Sequence, residues 1–287
     1  MNVTSKPAAA AGTIKLGDLT VNRLGFGAMH VAGAYVWGSR RRSAPMLDLL
    51  RRAFDLGHTF FDTADSYGPN VSEDLIAEAL HPYPKELVIG TKGGLVRPSR
   101  HRWDECGRPD HLRRALEGSL KRLRLERIDL YQFHAPDPNV PFAESMGALA
   151  ELQRAGKIRH LGVSNVSLAE LDEARRIARI VSVQNEYHVG DRSSDAVLDA
   201  CERAGIAFIP WSPLGGNRHG PLRLARVQRI AARLAATPAQ VALAWLLARS
   251  SVMLPIPGTG SMEHLEENAQ AARVTLSADD FAALEGR

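Results

Sequence analysis

Apolar runs long enough to cross a bilayer are missing from this sequence. The longest, 241–248, falls far short of the roughly 18 residues that a membrane helix requires, so no membrane partner is expected. Cysteine is scarce too: Cys106 and Cys201 are the two thiols in 287 residues. Two cysteines cannot build a disulfide framework or a zinc cluster, and free thiols suit a reducing compartment. The opening MNVTSKPAAAAG holds an alanine run but not the apolar stretch of a secretion signal, so the cytoplasm is the expected location and residues 1–11 read as a flexible tail. Blocks of one charge are absent as well. The net charge is +4, with acidic and basic residues mixed along the chain, which argues against a nucleic-acid partner. Lysine is rare, six of 36 basic residues, so a lysine placed at a strand end stands out. No Pro/Gly/Ser-rich linker interrupts the chain, and 1–287 reads as one domain.

What is present is an alternation of short apolar runs and amphipathic stretches. The runs 59–61, 87–89, 128–133, 160–163, 181–183, 207–209 and 253–256 read as buried parallel strands. A further run at 23–27 makes eight. Ahead of it, 13–16 and 19–21 flank Gly17-Asp18 as a hairpin outside the series. Between the runs, Met46, Leu49, Leu50, Ala53 and Phe54 recur at helical spacing. Ser167 with Glu170, and Thr237-Pro238 with Gln240, carry the signature of helix N-termini, and Asp110 and Ser277 precede further helical stretches. Eight strands each followed by a helix predict an α/β fold of the (β/α)8 TIM-barrel type with an N-terminal β-hairpin.

Six of the eight runs end in a residue able to do chemistry: Asp62, Lys92, His134, Ser164-Asn165, Gln184 and Trp211-Ser212. In a parallel barrel all strand C-termini open on one face, so these positions converge despite their separation in sequence. Tyr67 follows Asp62 on the next loop. A phenol, with a reference pKa of about 10, is a poor acid unless a cation lies beside it, and Lys92 can be that cation. Asp62 can pair with the lysine and hold it protonated, and His134 can orient a substrate oxygen. Together they predict a proton donor for the alkoxide that forms as a carbonyl is reduced. GFGAMH at Gly25–His30 lacks the third glycine of a dinucleotide fingerprint; its glycines are expected to let a strand turn outward. Arg40 to Arg42 read as a solvated loop, and Val36, Trp37, Trp103 and Tyr187 as mouth-loop residues able to form an apolar pocket.

The segments NRLGFGAM, DTADSYG, TK at Thr91-Lys92, IDLYQFHAPD, GVSN, QNEYH, PWSPLGG and IPGTGSMEHLEEN resemble the motifs of the aldo-keto reductases, in their order along nearly the whole chain. The last two forms are most similar to bacterial single-domain members, including pyridoxal reductases. The resemblance implies an NAD(P)H-dependent oxidoreductase that reduces an aldehyde or ketone, with Tyr67 as general acid, Lys92 and Asp62 tuning it, and His134 orienting the carbonyl. It implies that Ser164, Asn165 and Gln184 bond the nicotinamide carboxamide, that Trp211 stacks on the ring, and that Ser212 and Leu214 of PWSPLGG line the cofactor. Gly258, Thr259, Ser261, His264, Glu267 and Asn268 would bind the far end of the nucleotide. Ser261 opens a helix whose free N–H groups suit a phosphate. Relatives that prefer NADP place a Lys or Arg in this region, whereas this chain has Gly258, Met262 and His264. NADPH is the expected cofactor and NADH the alternative. The expected partner is a small carbonyl compound, and the expected state a monomer, with a homo-oligomer as the alternative. Two other functions compete: a cofactor-binding regulatory barrel with little turnover, and an aldolase using Lys92 as a Schiff base.

Overall fold

The computed structural model describes residues 6–38, 44–216 and 220–286. The Gly17-Asp18 turn joins β1 (Thr13–Leu16) to β2 (Leu19–Asn22) as an antiparallel hairpin. Then come β3 (Phe26–Gly27), β4 (Phe60–Asp62) and β5 (Val88–Gly93). A second hairpin that the sequence reading did not foresee follows, β6 (Leu95–Ser99) against β7 (Arg102–Glu105). The series resumes with β8 (Ile128–Phe133), β9 (Ile158–Ser164), β10 (Ile180–Gln184) and β11 (Ala207–Phe208). Seven of these form one parallel sheet in the order β11-β10-β9-β8-β5-β4-β3.

The expected eighth strand is not a regular one. Residues 252–257 nonetheless bond both sheet edges: Phe208 N–H donates to Val252 O at 2.8 Å and Leu254 N–H to Phe208 O at 2.8 Å, while Gly25 N–H donates to Pro255 O at 2.9 Å. Pro255 and Pro257 have no N–H to give back, which breaks the ladder there. The sheet is therefore curled, with an extended, proline-interrupted segment between its edges, consistent with a (β/α)8 barrel. The run expected at 23–27 is regular only at Phe26–Gly27. Its glycines serve close approach rather than an outward turn: a Cβ on Gly27 would stand 2.7 Å from Ile256 O, and one on Gly258 2.6 Å from Gly27 O.

The helices are α1 (Ala44–Asp55), α2 (Val71–Leu80), α3 (Pro109–Leu123), α4 (Phe142–Arg154), α5 (Leu168–Ile177), α6 (Asp195–Ala204), α7 (Ala225–Arg233), α8 (Pro238–Arg249), α9 (Met262–Gln270) and α10 (Ala278–Glu285). The expected capping boxes are present: Ser167 with Glu170 opens α5, Thr237 with Gln240 opens α8, and Ser277 with Asp280 opens α10. Asp110 does not precede a helix; it sits in the first turn of α3, where its negative charge faces the positive end of the helix dipole. Leu49, Leu50 and Ala53 of the periodic stripe are the buried face of α1. Among the described residues no single helix is long and apolar enough to cross a membrane.

Two cores result from this layering. The outer one lies between strands and helices. The inner one joins Phe60, Val88, Leu130, Val181, Ala207 and Ile256 to Leu16 and Val21 of the hairpin. The β1–β2 turn lies at one end of the sheet, with Asp18 bonding Arg159 Nη2 at 2.7 Å and His160 Nε2 at 2.5 Å. The tail expected over 1–11 is ordered where it is described. Pro7–Ala11 is a 3-10 turn with Pro7 and Ala8 buried, and Ala8 N–H donates to Leu56 O at 3.0 Å. Small alanine side chains and a proline that fixes φ suit such a tight turn.

Candidate active site

The last residue of β4 is Asp62, and β5, in parallel register beside it, carries Lys92 two residues beyond the partner of Asp62. Lys92 is fully buried, and its Nζ donates to Asp62 Oδ2 at 2.6 Å, to Thr63 O at 2.9 Å and to Tyr67 Oη at 3.5 Å. Burying an ammonium is costly unless a counter-charge and further acceptors compensate, and here both are supplied. The other oxygen of Asp62, Oδ1, accepts from Gln184 Nε2 at 2.9 Å and Gln132 Nε2 at 3.2 Å. Both carboxylate oxygens are thereby satisfied in the barrel interior. His134 follows the end of β8, and its ring meets that of Tyr67 edge-on at 5.9 Å. Trp103 of β7 meets Tyr67 edge-on from another side at 6.3 Å.

Burial opposes the charge on Lys92, but Asp62 and Tyr67 together outweigh it and leave the ammonium pKa above its usual value. Tyr67 departs from expectation. Its pKa lies above that of an ordinary phenol, because burial outweighs the lowering effect of Lys92 and the Asp62 charge adds to the rise. Lys92 therefore does not make Tyr67 a stronger acid than free tyrosine in this state; burial keeps the phenol neutral, and Lys92 offsets part of that burial. The sequence reading placed Tyr67 on a loop above the barrel and could not weigh desolvation. Burial, and then the Lys92 charge, holds His134 well below the usual histidine pKa, so the imidazole is neutral. Its Nδ1 is buried without a hydrogen-bond partner.

The group opens into a cleft of about 660 Å³ at the C-terminal ends of the strands. Asp62, Tyr67 and His134 form part of its wall, and Lys92 lies behind them. Ser164, Asn165 and Gln184 line it at the ends of β9 and β10, as do Trp211, Ser212 and Leu214 after β11. Asn165 Nδ2 donates to His134 O at 2.9 Å, and Asn165 Oδ1 accepts from Trp211 Nε1 at 3.0 Å. One amide thus ties the catalytic corner to the indole. Asn165 (φ +57°) and Ser212 (φ +48°) hold left-handed backbone, which is uncommon outside glycine and concentrates at functional sites. Gly258, Thr259 and His264 line the far end.

Three of the expected nucleotide-binding positions do not line the cleft. Ser261 caps α9, its Oγ accepting from His264 N–H at 3.4 Å. Glu267 accepts from Thr237 Oγ1 at 2.5 Å, and Asn268 is buried in the next turn of α9. Of the expected mouth-loop residues, Trp103 lines the cleft, while Val36 is buried against Tyr67. Tyr187 does not belong to the mouth: it is fully buried, stacked on Trp245 at 5.8 Å, and its hydroxyl donates to Asp195 at 2.5 Å. Arg40 to Arg42 lie outside the described residues. Gln132 was missed, although a glutamine inside the apolar strand IDLYQF is a signal, since it pairs in register with Lys92.

The cleft suits a flat, amide-bearing ring. Trp211, the Ser164 hydroxyl and the Asn165 and Gln184 amides line the cleft together, and Gly27 and Gly258 approach closely in the same wall. A profile of the Aldo/keto reductase family matches residues 23–286. An uncharacterized oxidoreductase of Schizosaccharomyces pombe is 44% identical over 281 residues, covering 97% of this chain and 90% of its own. Pyridoxine 4-dehydrogenase of Escherichia coli is 42% identical over 284 residues, covering 96% and 98%. Among solved structures, a thermostable aldo-keto reductase in complex with the inhibitor epalrestat has a TM-score of 0.84 at 33% identity, covering 96% of this chain and 98% of that one. An aldo-keto reductase of Klebsiella pneumoniae in complex with NADPH has a TM-score of 0.80 at 27% identity, covering 96% and 94%. By this profile and these relatives, the chain belongs to the aldo/keto reductase family, whose role is NADP-dependent oxidation and reduction of carbonyl compounds.

Proposed function

We propose that this protein is a (β/α)8-barrel reductase that converts an aldehyde or ketone to the alcohol with NADPH, Tyr67 giving the proton. The observation that carries this reading is the ammonium of Lys92 set between Asp62 and Tyr67 at 2.6 and 3.5 Å, with the phenol facing the cleft beside His134. A reduced nicotinamide, when bound, supplies the hydride. The substrate oxygen accepts a hydrogen bond from Tyr67 and from His134, whose neutral ring donates through one nitrogen without bringing a competing charge. As negative charge grows on that oxygen it becomes far more basic than a phenolate, and the proton moves from Tyr67 Oη to it. The phenolate left behind faces Lys92, whose raised pKa keeps it cationic through the step. A high phenol pKa is no obstacle: it keeps Tyr67 protonated until the alkoxide forms.

Ser164, Asn165 and Gln184 hold the carboxamide, Trp211 stacks on the ring, and Ser212 and Leu214 pack along it. Gly258, Thr259, Ser261, His264, Glu267 and Asn268 hold the adenosine end, which requires Glu267 to share or release the Thr237 hydroxyl. The likeness to pyridoxine 4-dehydrogenase makes a pyridoxal-type aromatic aldehyde the first substrate to try. The test is oxidation of NADPH, and separately of NADH, across a panel of aromatic and aliphatic carbonyls. Turnover with aromatic aldehydes and NADPH is expected; binding of either nucleotide without turnover of any carbonyl would favour a regulatory barrel instead.

A further inference from the structure

The β6–β7 hairpin leans over the cleft and contributes Leu95 and Trp103 to its wall. Opposite it, the segment 34–38 follows β3 and is joined to the residue after Tyr67: Gly68 N–H donates to Val36 O at 3.2 Å and Gly38 N–H to Gly68 O at 3.3 Å. One side chain connects the two. Arg97 of β6 is buried, with no carboxylate in ion-pair range among the described residues. Its guanidinium instead meets four backbone carbonyls. Nη1 donates to Val36 O at 3.0 Å, Nη2 to Tyr35 O at 3.3 Å and Arg100 O at 2.7 Å, and Nε to Arg102 O at 3.2 Å. The same guanidinium lies 3.7 Å from the ring centre of Trp103 and 5.3 Å from that of Trp37.

Two further facts point the same way. Tyr35 (φ +59°) and Val36 (φ +54°) both hold left-handed backbone, a costly state for a β-branched valine, and theirs are two of the carbonyls that accept from Arg97. A second cation of the hairpin, Arg100, lies 4.3 Å from the ring centre of Tyr35, whose side chain is otherwise 63% exposed. A strained segment and a two-stranded ribbon, each too small to hold its own shape in water, are thus pinned to each other through planar cations.

We propose that Arg97 is the positioning residue that sets substrate selectivity: by clamping segment 34–38 to the β6–β7 hairpin it fixes Trp103 as a rigid wall beside Tyr67 and selects flat aromatic carbonyls over small aliphatic ones. Arg97 does not touch the reacting atoms, and four of its five N–H donors bond protein carbonyls rather than an anionic substrate. The selectivity rests on the reductase reading given above, whereas the clamp itself does not.

The test compares the parent with Arg97→Met, Arg97→Lys and Trp103→Ala. Arg97→Met should raise KM for 4-nitrobenzaldehyde by about tenfold, the scale of a lost desolvated cation–π contact, while KM for methylglyoxal moves by less than about twofold. Amide hydrogen exchange within 33–38 and 95–105 should quicken in the same variant. Arg97→Lys should behave like Arg97→Met, because an ammonium cannot span four carbonyls or lie flat on an indole. In Trp103→Ala the aromatic KM should rise comparably, and adding Arg97→Met to it should have little further effect. An equal change in KM for both aldehydes, or full rescue by lysine, would overturn the proposal. If the parent binds NADPH and reduces no carbonyl of the panel, the reductase reading falls. The clamp is then judged by exchange alone, and unchanged exchange in Arg97→Met would refute it.

Discussion

The two ends of the cleft are built from different materials. At the catalytic corner, Asp62 and Lys92 form a buried ion pair with every oxygen of the carboxylate occupied, fixed on strands and sealed by the inner core. At the far end, Gly258, Ser261, His264 and Glu267 are half-exposed or exposed while Thr259 and Asn268 are buried, and the shape comes from left-handed backbone at Ser212, the approach of Gly27 to Gly258 and the N-terminus of α9. Charge placed in a low-dielectric interior is worth far more than charge at a rim, and is correspondingly damaging to disturb. The corner is therefore expected to decide whether the protein turns over, and the rim to decide which nucleotide it prefers and by how much.

Lys92→Met should break this contrast most severely. It leaves the Asp62 carboxylate buried without its cation, a defect of about 3 kcal/mol or more. The Tm should fall by roughly 5–10 °C, and turnover by at least about a hundredfold. A thermal scan beside a steady-state assay checks both, and a variant with half of the parent activity would make Lys92 merely structural.

A smaller effect with a definite sign is expected at Asp65, whose N–H donates to Lys92 O at 3.3 Å. Burial and the Glu73 charge push its pKa up to about 8. The folded chain thus keeps a proton that the unfolded chain, with an aspartate pKa of about 4, releases. The stability this site contributes is whole below about pH 4 and is lost as the pH climbs to about 8. Asp65→Asn abolishes that dependence, so its Tm relative to the parent should be higher at pH 8.5 than at pH 5, by on the order of 5 °C. Equal differences at the two pH values would contradict a buried, protonated Asp65. The opposite dependence is expected at His58, which burial lowers to about 4. Its stability contribution is present above the ordinary histidine range and is lost as the pH falls through about 4.

At the rim the changes should be slight. His264 is exposed and meets the cleft on one side; His264→Ala should alter the ratio of NADPH to NADH dissociation constants by about threefold or less, the scale of a single exposed electrostatic contact. Titration of nucleotide fluorescence measures this, and a tenfold change would mean that the rim is governed by that one side chain.

How far the sequence reveals these regions follows the same division. Asp62, Lys92 and His134 can be placed together from the sequence because continuous apolar runs mark strand ends, and strand ends in a parallel barrel share one face; Tyr67 follows from its loop position after Asp62 in DTADSYG. The direction of the Tyr67 pKa was not legible, since it depends on how deeply a loop residue is buried. Neither was the β6–β7 hairpin, whose Arg- and Pro-containing strands lack an apolar alternation; its order comes from Arg97 reaching carbonyls some 60 residues away in sequence. The apolar residues 253–256 suggest an eighth strand, but Pro255 and Pro257 deprive it of the N–H donors that a regular ladder needs. Pro7–Ala11 was read as a tail because alanine carries no pattern; Ala8 is buried through a contact to Leu56 that no local signal announces.

The central claim is that the phenol of Tyr67 is the proton donor and little else. Single-turnover reduction of an aromatic aldehyde by the NADPH complex of Tyr67→Phe, measured beside its NADPH dissociation constant and Tm, tests it most directly. The account predicts a rate at least about a hundredfold below the parent, with nucleotide affinity within about twofold and an unchanged Tm, because a buried hydroxyl that makes only a long contact at 3.5 Å contributes little to stability. A rate within a few-fold of the parent would assign the proton to another group and contradict the account.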